Sequence, residues 1–272
     1  MLCRVEWKRA DGTKVPGYGF GDMLESKNPG VIVIQGIKHT RNSHRNSISR
    51  HVSERLLAFA EWWGITPEIQ LQAQKISDEG YRVLVPDLYR GKLGVDAEEA
   101  HHLMENLDWA GAIEDISAAA DTLDECGNGS VGVVGFCMGG ALSLASAQLV
   151  EKIDCAVAFY GTPDAGLADM STLTKPVLGH FGELDPMAGF SDPAAAEALA
   201  ATLTAAGSDN TVRMYPGVGH AFMNDTEDAI ARKELLGQTG GEGGAVHDPA
   251  AIDLAWERTL AFFHERLDTR DE

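Results

Sequence analysis

Six short runs of apolar and β-branched residues punctuate the chain, at 31–35 (VIVIQ), 81–86 (YRVLVP), 131–135 (VGVVG), 155–161 (CAVAFYG), 176–182 (PVLGHFG) and 211–216 (TVRMYP). Continuous apolar runs of this length suit strands buried on both faces, which is the condition of a parallel sheet covered by helices. Helix-like stretches separate them. One has Thr66 as N-cap, Pro67 in its first turn and Gly80 as its stop, and another starts near Asp96. Further helices are expected over about 108–126, after Cys137, after Pro193, and over 249–267. With 272 residues and 44% hydrophobic content, the alternation predicts one α/β domain with a doubly wound, mostly parallel sheet flanked by helices.

The formal net charge of −19 excludes nucleic acid and anionic membrane surfaces as partners, because both need a basic face. No stretch reaches the ~20 apolar residues of a membrane span, and the opening MLCRVEWKRADG lacks the apolar core of a signal peptide. The expectation is a cytoplasmic monomer acting on a small molecule. Cys3, Cys126, Cys137 and Cys155 form no C-x-x-C pair, which leaves reduced thiols with neither disulfide framework nor zinc site. No metal and no cofactor are expected.

One corner carries chemistry. In VGVVGFCMGGALSLA (131–145), Gly135-x-Cys137-x-Gly139 follows a strand and opens a helix. That context gives the related G-x-S-x-G pattern its meaning, because glycines let a strand turn sharply and present the central side chain above the sheet. The helix dipole there favours thiolate over thiol. The competing reading is a glycine-rich turn of a dinucleotide-binding fold, with Cys137 filling space. A nucleophile needs a base and an orienting acid, which in this fold class follow in the order nucleophile, acid, histidine. Asp185 in HFGELDPM and His220 in YPGVGHAFMND each follow an expected strand, with Glu183 as the competitor for the acid. His101, His102 and His247 read as solvated loop or helix residues.

PDLYRG (86–91), GFCMGGALS (135–143), GELDP (182–186), GHAFMND (219–225) and AWERTLAFF (255–263), with QEWWG formed when 36–60 is removed, together resemble the dienelactone hydrolase family of α/β-hydrolases. The resemblance implies that Cys137 is the nucleophile, His220 its base and Asp185 the orienting acid. It makes Glu61 the carboxylate that helps deprotonate the resting thiol, and the backbone amides of Met138 and Trp62 the oxyanion hole. Arg90 resembles part of the anion-binding wall, and Trp63 and Asn224 are counted among the substrate contacts. Where catabolic members carry a second arginine after the histidine, this chain has Ala221-Phe222-Met223-Asn224. The implied activity is hydrolysis of a small ester or lactone through a cysteine acyl-enzyme. The rival class is a catalytically silent binding or sensor protein on the same fold.

Residues 36–60, GIKHTRNSHRNSISRHVSERLLAFA, interrupt this pattern. They hold five of the 22 Lys and Arg, one of the 41 Asp and Glu and three of the nine His, a net +4 inside an acidic chain. Deleting them joins VIVIQ to EWWGITPEIQ with no residue missing. A lid, a basic interaction loop and a translated intron all remain open. Gly36 and Ala60 fit GT and AG intron ends that split the Glu61 codon.

Overall fold

The structure, a computed structural model, describes residues 3–21, 28–34, 65, 67–92, 106–126, 129–227, 229–230, 245 and 247–267. Segment 36–60, Glu61, Trp62, Trp63, the Thr66 cap, the helix expected near Asp96, His101, His102 and the glycine-rich stretch 237–244 lie outside the described residues.

Strands β1 (Cys3–Lys8), β2 (Lys14–Phe20), β3 (Gly30–Ile34), β4 (Arg82–Pro86), β5 (Val131–Phe136), β6 (Cys155–Phe159), β7 (Val177–Gly182) and β8 (Asn210–Tyr215) form an eight-stranded sheet. Its order is β1-β2-β4-β3-β5-β6-β7-β8. Every pair from β4 to β8 is parallel, and β1 and β2 add an antiparallel edge. The six apolar runs became β3 to β8. β1, the edge strand, and β2 beside it escaped the sequence reading; CRVEWK buries Trp7 alone, its charged neighbours Arg4, Glu6 and Lys8 face solvent, and KVPGYGF breaks its apolar run with a proline and two glycines. An edge strand with one solvated face carries little apolar signal.

Helices α1 (Pro67–Asp78), α2 (Trp109–Cys126), α3 (Met138–Leu149), α4 (Pro193–Ala205) and α5 (Pro249–Leu267) cover the sheet. Asp192 caps α4 by accepting the Ala195 N–H at 3.2 Å, with Pro193 in the first turn, where its missing N–H costs nothing. Two apolar layers result. On one face Ile116, Ala119 and Leu123 of α2, Leu142 of α3 and Leu203 of α4 pack with Ile32, Ile34 and Val133. On the other, Ile69 and Ile76 of α1 and Trp256 and Phe263 of α5 pack with Val31, Val33, Val134 and Phe136. Both faces of the central strands are therefore dry, as their composition requires.

Several buried polar groups of the described residues are paired. Arg82 donates to the carbonyls of Asn28 (2.8 Å) and Leu123 (2.6 Å), and Asp115 accepts from both Arg9 (2.7 Å) and Arg90 (2.6 Å). His180, fully buried in β7, stacks on Phe159 with ring centroids 4.4 Å apart. Thr259 Oγ1 donates to the Ala255 carbonyl (2.8 Å), so it must accept from His180 Nε2 (3.1 Å). Nδ1 then accepts the Tyr215 hydroxyl proton at 2.8 Å, and the ring is a neutral Nε2–H tautomer with both nitrogens satisfied.

Burial, with the nearby charges of Arg258 and Arg213, pushes the His180 pKa down to about 3. The native state refuses a proton that the unfolded chain accepts near its ordinary pKa of 6.5. This contribution to stability is complete above that value and is lost progressively as the pH falls toward the folded pKa. Between about pH 7.5 and pH 5 the loss from this residue is roughly 2 kcal/mol. Urea unfolding at the two pH values should reveal it, and His180→Gln should flatten the dependence; identical pH slopes for the two proteins would contradict the assignment.

Candidate active site

The corner between β5 and α3 is built around close backbone approaches. Phe136, the last residue of β5, is buried, and the next residue, Cys137, has φ 57° and ψ −118°. That combination lies outside the regions open to L-residues and stores strain. It persists because the Cys137 N–H donates to the Phe159 carbonyl of β6 (2.9 Å) while the Cys137 carbonyl accepts the N–H groups of Gly140 (2.9 Å) and Ala141 (3.2 Å). No side chain fits beside this turn. A Cβ on Gly135 would stand 1.9 Å from the Gly139 oxygen, and one on Gly161 would stand 2.0 Å from the Cys137 oxygen.

Two loops at the C-terminal edge of the sheet meet the corner. The loop after β8 carries His220, and the loop after β7 carries Asp185. His220 Nε2 lies 3.2 Å from Cys137 Sγ, and Nδ1 lies 2.7 Å from Asp185 Oδ2. Asp185 is buried, and its other oxygen accepts the Met187 N–H at 3.0 Å, so the carboxylate is oriented at both atoms. Glu183, the competitor for this role, is exposed and its carboxylate accepts the Gly217 N–H at 3.2 Å, away from the histidine. The chain order Cys, Asp, His is thus also a spatial line, sulfur to imidazole to carboxylate.

Other expected residues are distributed unevenly around this line. Met138 is the first residue of α3, so its N–H belongs to the amides that a helix leaves without an internal acceptor. Asn224 is buried on the His220 loop, which docks on α1 through Lys75 and Asp225 (3.5 Å). Arg90 is engaged elsewhere: its guanidinium reaches Asp115 at 2.6 and 2.9 Å through two nitrogens and lies beside a cleft of about 380 Å³ lined by Arg4, Glu6, Pro16 and Asp87. Arg90 meets a carboxylate of its own chain on α2, which it shares with Arg9 just past the end of β1. Glu61, Trp62 and Trp63 are outside the described residues.

Three residues at the site were not singled out from sequence. The Tyr160 ring stands edge-on to His220 with centroids 5.1 Å apart. Ser191 Oγ lies 3.1 Å from His220 Nδ1. Tyr89, next to Arg90 in DLYRG, is buried in the same apolar layer as Met138 and Ile34. Burial pushes its phenol well above the ordinary range, and the negative charge of a Cys137 thiolate adds to the shift. The only signal for Tyr89 in the sequence is its place in PDLYRG, beside Arg90. Among the described residues no cluster of three or more His, Cys, Asp or Glu is placed to hold a metal ion, and no helix is long and apolar enough to cross a membrane.

A parallel sheet with a strained cysteine corner after its middle strand, and acid and histidine on the next loops along its edge, defines the α/β-hydrolase class. The chain belongs to the dienelactone hydrolase family, whose model matches residues 47–267. It is 31% identical to Protein usf of Aquifex pyrophilus over 224 residues, covering 78% of this chain and 88% of that one. It is 26% identical to the carboxymethylenebutenolidase of Rhodococcus opacus, covering 78% and 81%. A putative dienelactone hydrolase from Klebsiella pneumoniae shares the fold with a TM-score of 0.68 at 20% identity, over 97% of this chain and 98% of that one.

The strain at Cys137 has a measurable consequence. Glycine tolerates this backbone and alanine does not, so Cys137→Gly should be more stable than Cys137→Ala by roughly 1–2 kcal/mol, the reverse of the usual order next to a helix. Denaturant unfolding of the two variants measures the difference, and an alanine variant as stable as the glycine one would remove the case for strain.

Proposed function

We propose that the protein hydrolyses small esters or lactones through an acyl-thioester on Cys137, with His220 as the base and Asp185 as its orienting acid. The observation that carries this reading is the continuous relay from sulfur through imidazole to a buried carboxylate, at 3.2 and 2.7 Å. Membership of the dienelactone hydrolase family supports the substrate class, as does the name carboxymethylenebutenolidase borne by a relative.

In this mechanism His220 Nε2 takes the thiol proton, and the resulting imidazolium is steadied by Asp185 through Nδ1–H. The thiolate attacks the carbonyl carbon, and the carbonyl electron pair moves to oxygen. The Met138 amide, at the head of α3, is one donor to that oxyanion. Family resemblance makes the Trp62 amide the other and gives Glu61 the task of helping to deprotonate the resting thiol. Collapse expels the alkoxide, which takes its proton from Nε2–H. Water then gives a proton to Nε2, attacks the thioester and releases the acid, and the sulfur leaves as thiolate. With the Arg90 guanidinium held by Asp115, a carboxylate on the substrate has no claim on that side chain, so neutral aryl and alkyl esters should serve as well as acidic ones.

A p-nitrophenyl ester should give a burst of one phenol per active site, abolished by alkylation of Cys137 and by Cys137→Ala; a protein with neither burst nor turnover would be a binding module on the same fold. Asp185→Asn should lower turnover by about a hundredfold or more with little change in KM, because the histidine loses the partner that fixes its tautomer. Glu183→Gln should leave turnover within about twofold, since that side chain only braces an exposed turn.

The placement of 36–60 ahead of Glu61 and Trp62 generates one more expectation. Closing a chain over 25 extra residues costs little entropy, but it loosens the spacing of an oxyanion donor whose placement is worth about 3 kcal/mol. Deleting 36–60, which joins Gln35 to Glu61, should raise both melting temperature and turnover. A lid would give the opposite sign for turnover.

A further inference from the structure

The histidine has more support than a triad requires. His220 Nδ1 faces two oxygens, Asp185 Oδ2 at 2.7 Å and Ser191 Oγ at 3.1 Å. Ser191 has no exposed surface, so no water competes for its hydroxyl. Its position is tightly set. The Met187 carbonyl accepts the N–H groups of Phe190, Ser191 and Asp192 at 3.1, 3.1 and 3.2 Å, and Met187 itself donates to Asp185 Oδ1. Across the gap, Thr162 donates to the Phe190 carbonyl through its hydroxyl (2.7 Å) and its N–H (3.0 Å). Acid and serine are therefore two ends of one braced loop.

Resting on the nucleophile reading above, we propose that Ser191 is a positioning residue for His220, a second and uncharged acceptor for Nδ1–H. When Nε2 serves as the base, Nδ1 carries the ring's one proton. The carboxylate takes most of that hydrogen bond and the hydroxyl shares it as a weaker, bifurcated partner. Two acceptors on Nδ1 also resist rotation of the ring about Cβ–Cγ, which would bring a carbon into their reach. As the Cys137 proton arrives at Nε2, positive charge spreads over both N–H groups, and the serine dipole stabilises it without changing its own protonation state. The groups that meet the imidazole are then Cys137 Sγ, Asp185, Ser191 and the rings of Tyr160 and Phe190. Asp185 and Cys137 are the titratable neighbours with which it shares charge, and Tyr160 meets it with a ring edge.

The test compares Ser191→Ala with wild type by the rate of iodoacetamide alkylation of Cys137 across pH, alongside ester kinetics and melting temperature. The expected result is a fivefold to tenfold fall in kcat, with KM within about twofold and the alkylation midpoint raised by about half a pH unit. Ser191→Cys, close in size and a poor acceptor, should behave like alanine, and it replaces alanine should that variant unfold. A role limited to loop packing would lower the melting temperature and leave the alkylation midpoint where it was; that outcome, or an unchanged kcat, overturns the proposal. A wild-type protein whose Cys137 neither alkylates faster than a free thiol nor turns over ester would instead overturn the nucleophile reading, and the proposal with it.

Discussion

Everything at this site depends on the chain reversing direction between β5 and α3 within one residue. That residue has neither of the usual ways of easing such a bend. It is not glycine, and its carbonyl points into contacts with Gly140, Ala141 and the space above Gly161 rather than into solvent. The strain is held by the sheet. β5 is paired in register on both sides, with β3 from Gly30↔Val131 to Ile34↔Gly135 and with β6 from Gly132↔Cys155 to Phe136↔Phe159. Two ladders and two dry faces overdetermine where β5 ends, and the cysteine takes the conformation left to it.

The same constraint extends sideways along the sheet. Parallel strands all end at one edge, so the loops after β7 and β8 deliver Asp185 and His220 to the edge where β5 delivers Cys137. The sheet sets the spacing of these loops, and local hydrogen bonds set their shape. Gly182, at the end of β7, admits the Val218 and Gly219 carbonyls of the neighbouring loop within 2.7 Å of where a side chain would begin. The two loops are packed backbone to backbone, whatever side chains they carry. Beneath them the neutral His180 network ties β7 to β8 through Tyr215 and to α5 through Thr259, so the platform for acid and histidine is itself cross-braced by buried polar groups.

Legibility followed burial. The strands β3 to β8 were readable because each is apolar on both faces, and α4 and α5 because proline and a cap mark their starts. β1 and β2 were not, since an antiparallel edge with one wet face has no composition of its own. The partner of Arg90 was not legible either, because Asp115 lies 25 residues further along the chain on α2. That Cys137, Asp185 and His220 would meet at one edge of the sheet was legible through turn motifs and chain order. Ser191, Tyr160 and Tyr89 were not, because a serine six residues past an aspartate or a tyrosine after a strand carries no signal until the loops are folded. Tyr160 even adopts a positive φ of 39°, a strain that no sequence pattern announced.

The connection after β3 joins these themes. Ile34 pairs with Gly135, so β3 ends beside the strand that leads into the cysteine corner. It returns as α1, whose apolar side packs on the opposite layer from α3 and whose Lys75 meets the His220 loop. The departure point and the return point are both part of the active-site frame, although the family match begins only at residue 47. A connection anchored this way at both ends tolerates added length in its middle, because the entropy of closing it grows only with the logarithm of its length. What such a connection would not tolerate, under the proposed mechanism, is error at the amide assigned to the oxyanion hole, since a donor displaced by about 1 Å loses most of its effect. Stability and catalysis therefore place different demands on this connection, since the first depends on its length and the second on where its residues come to lie.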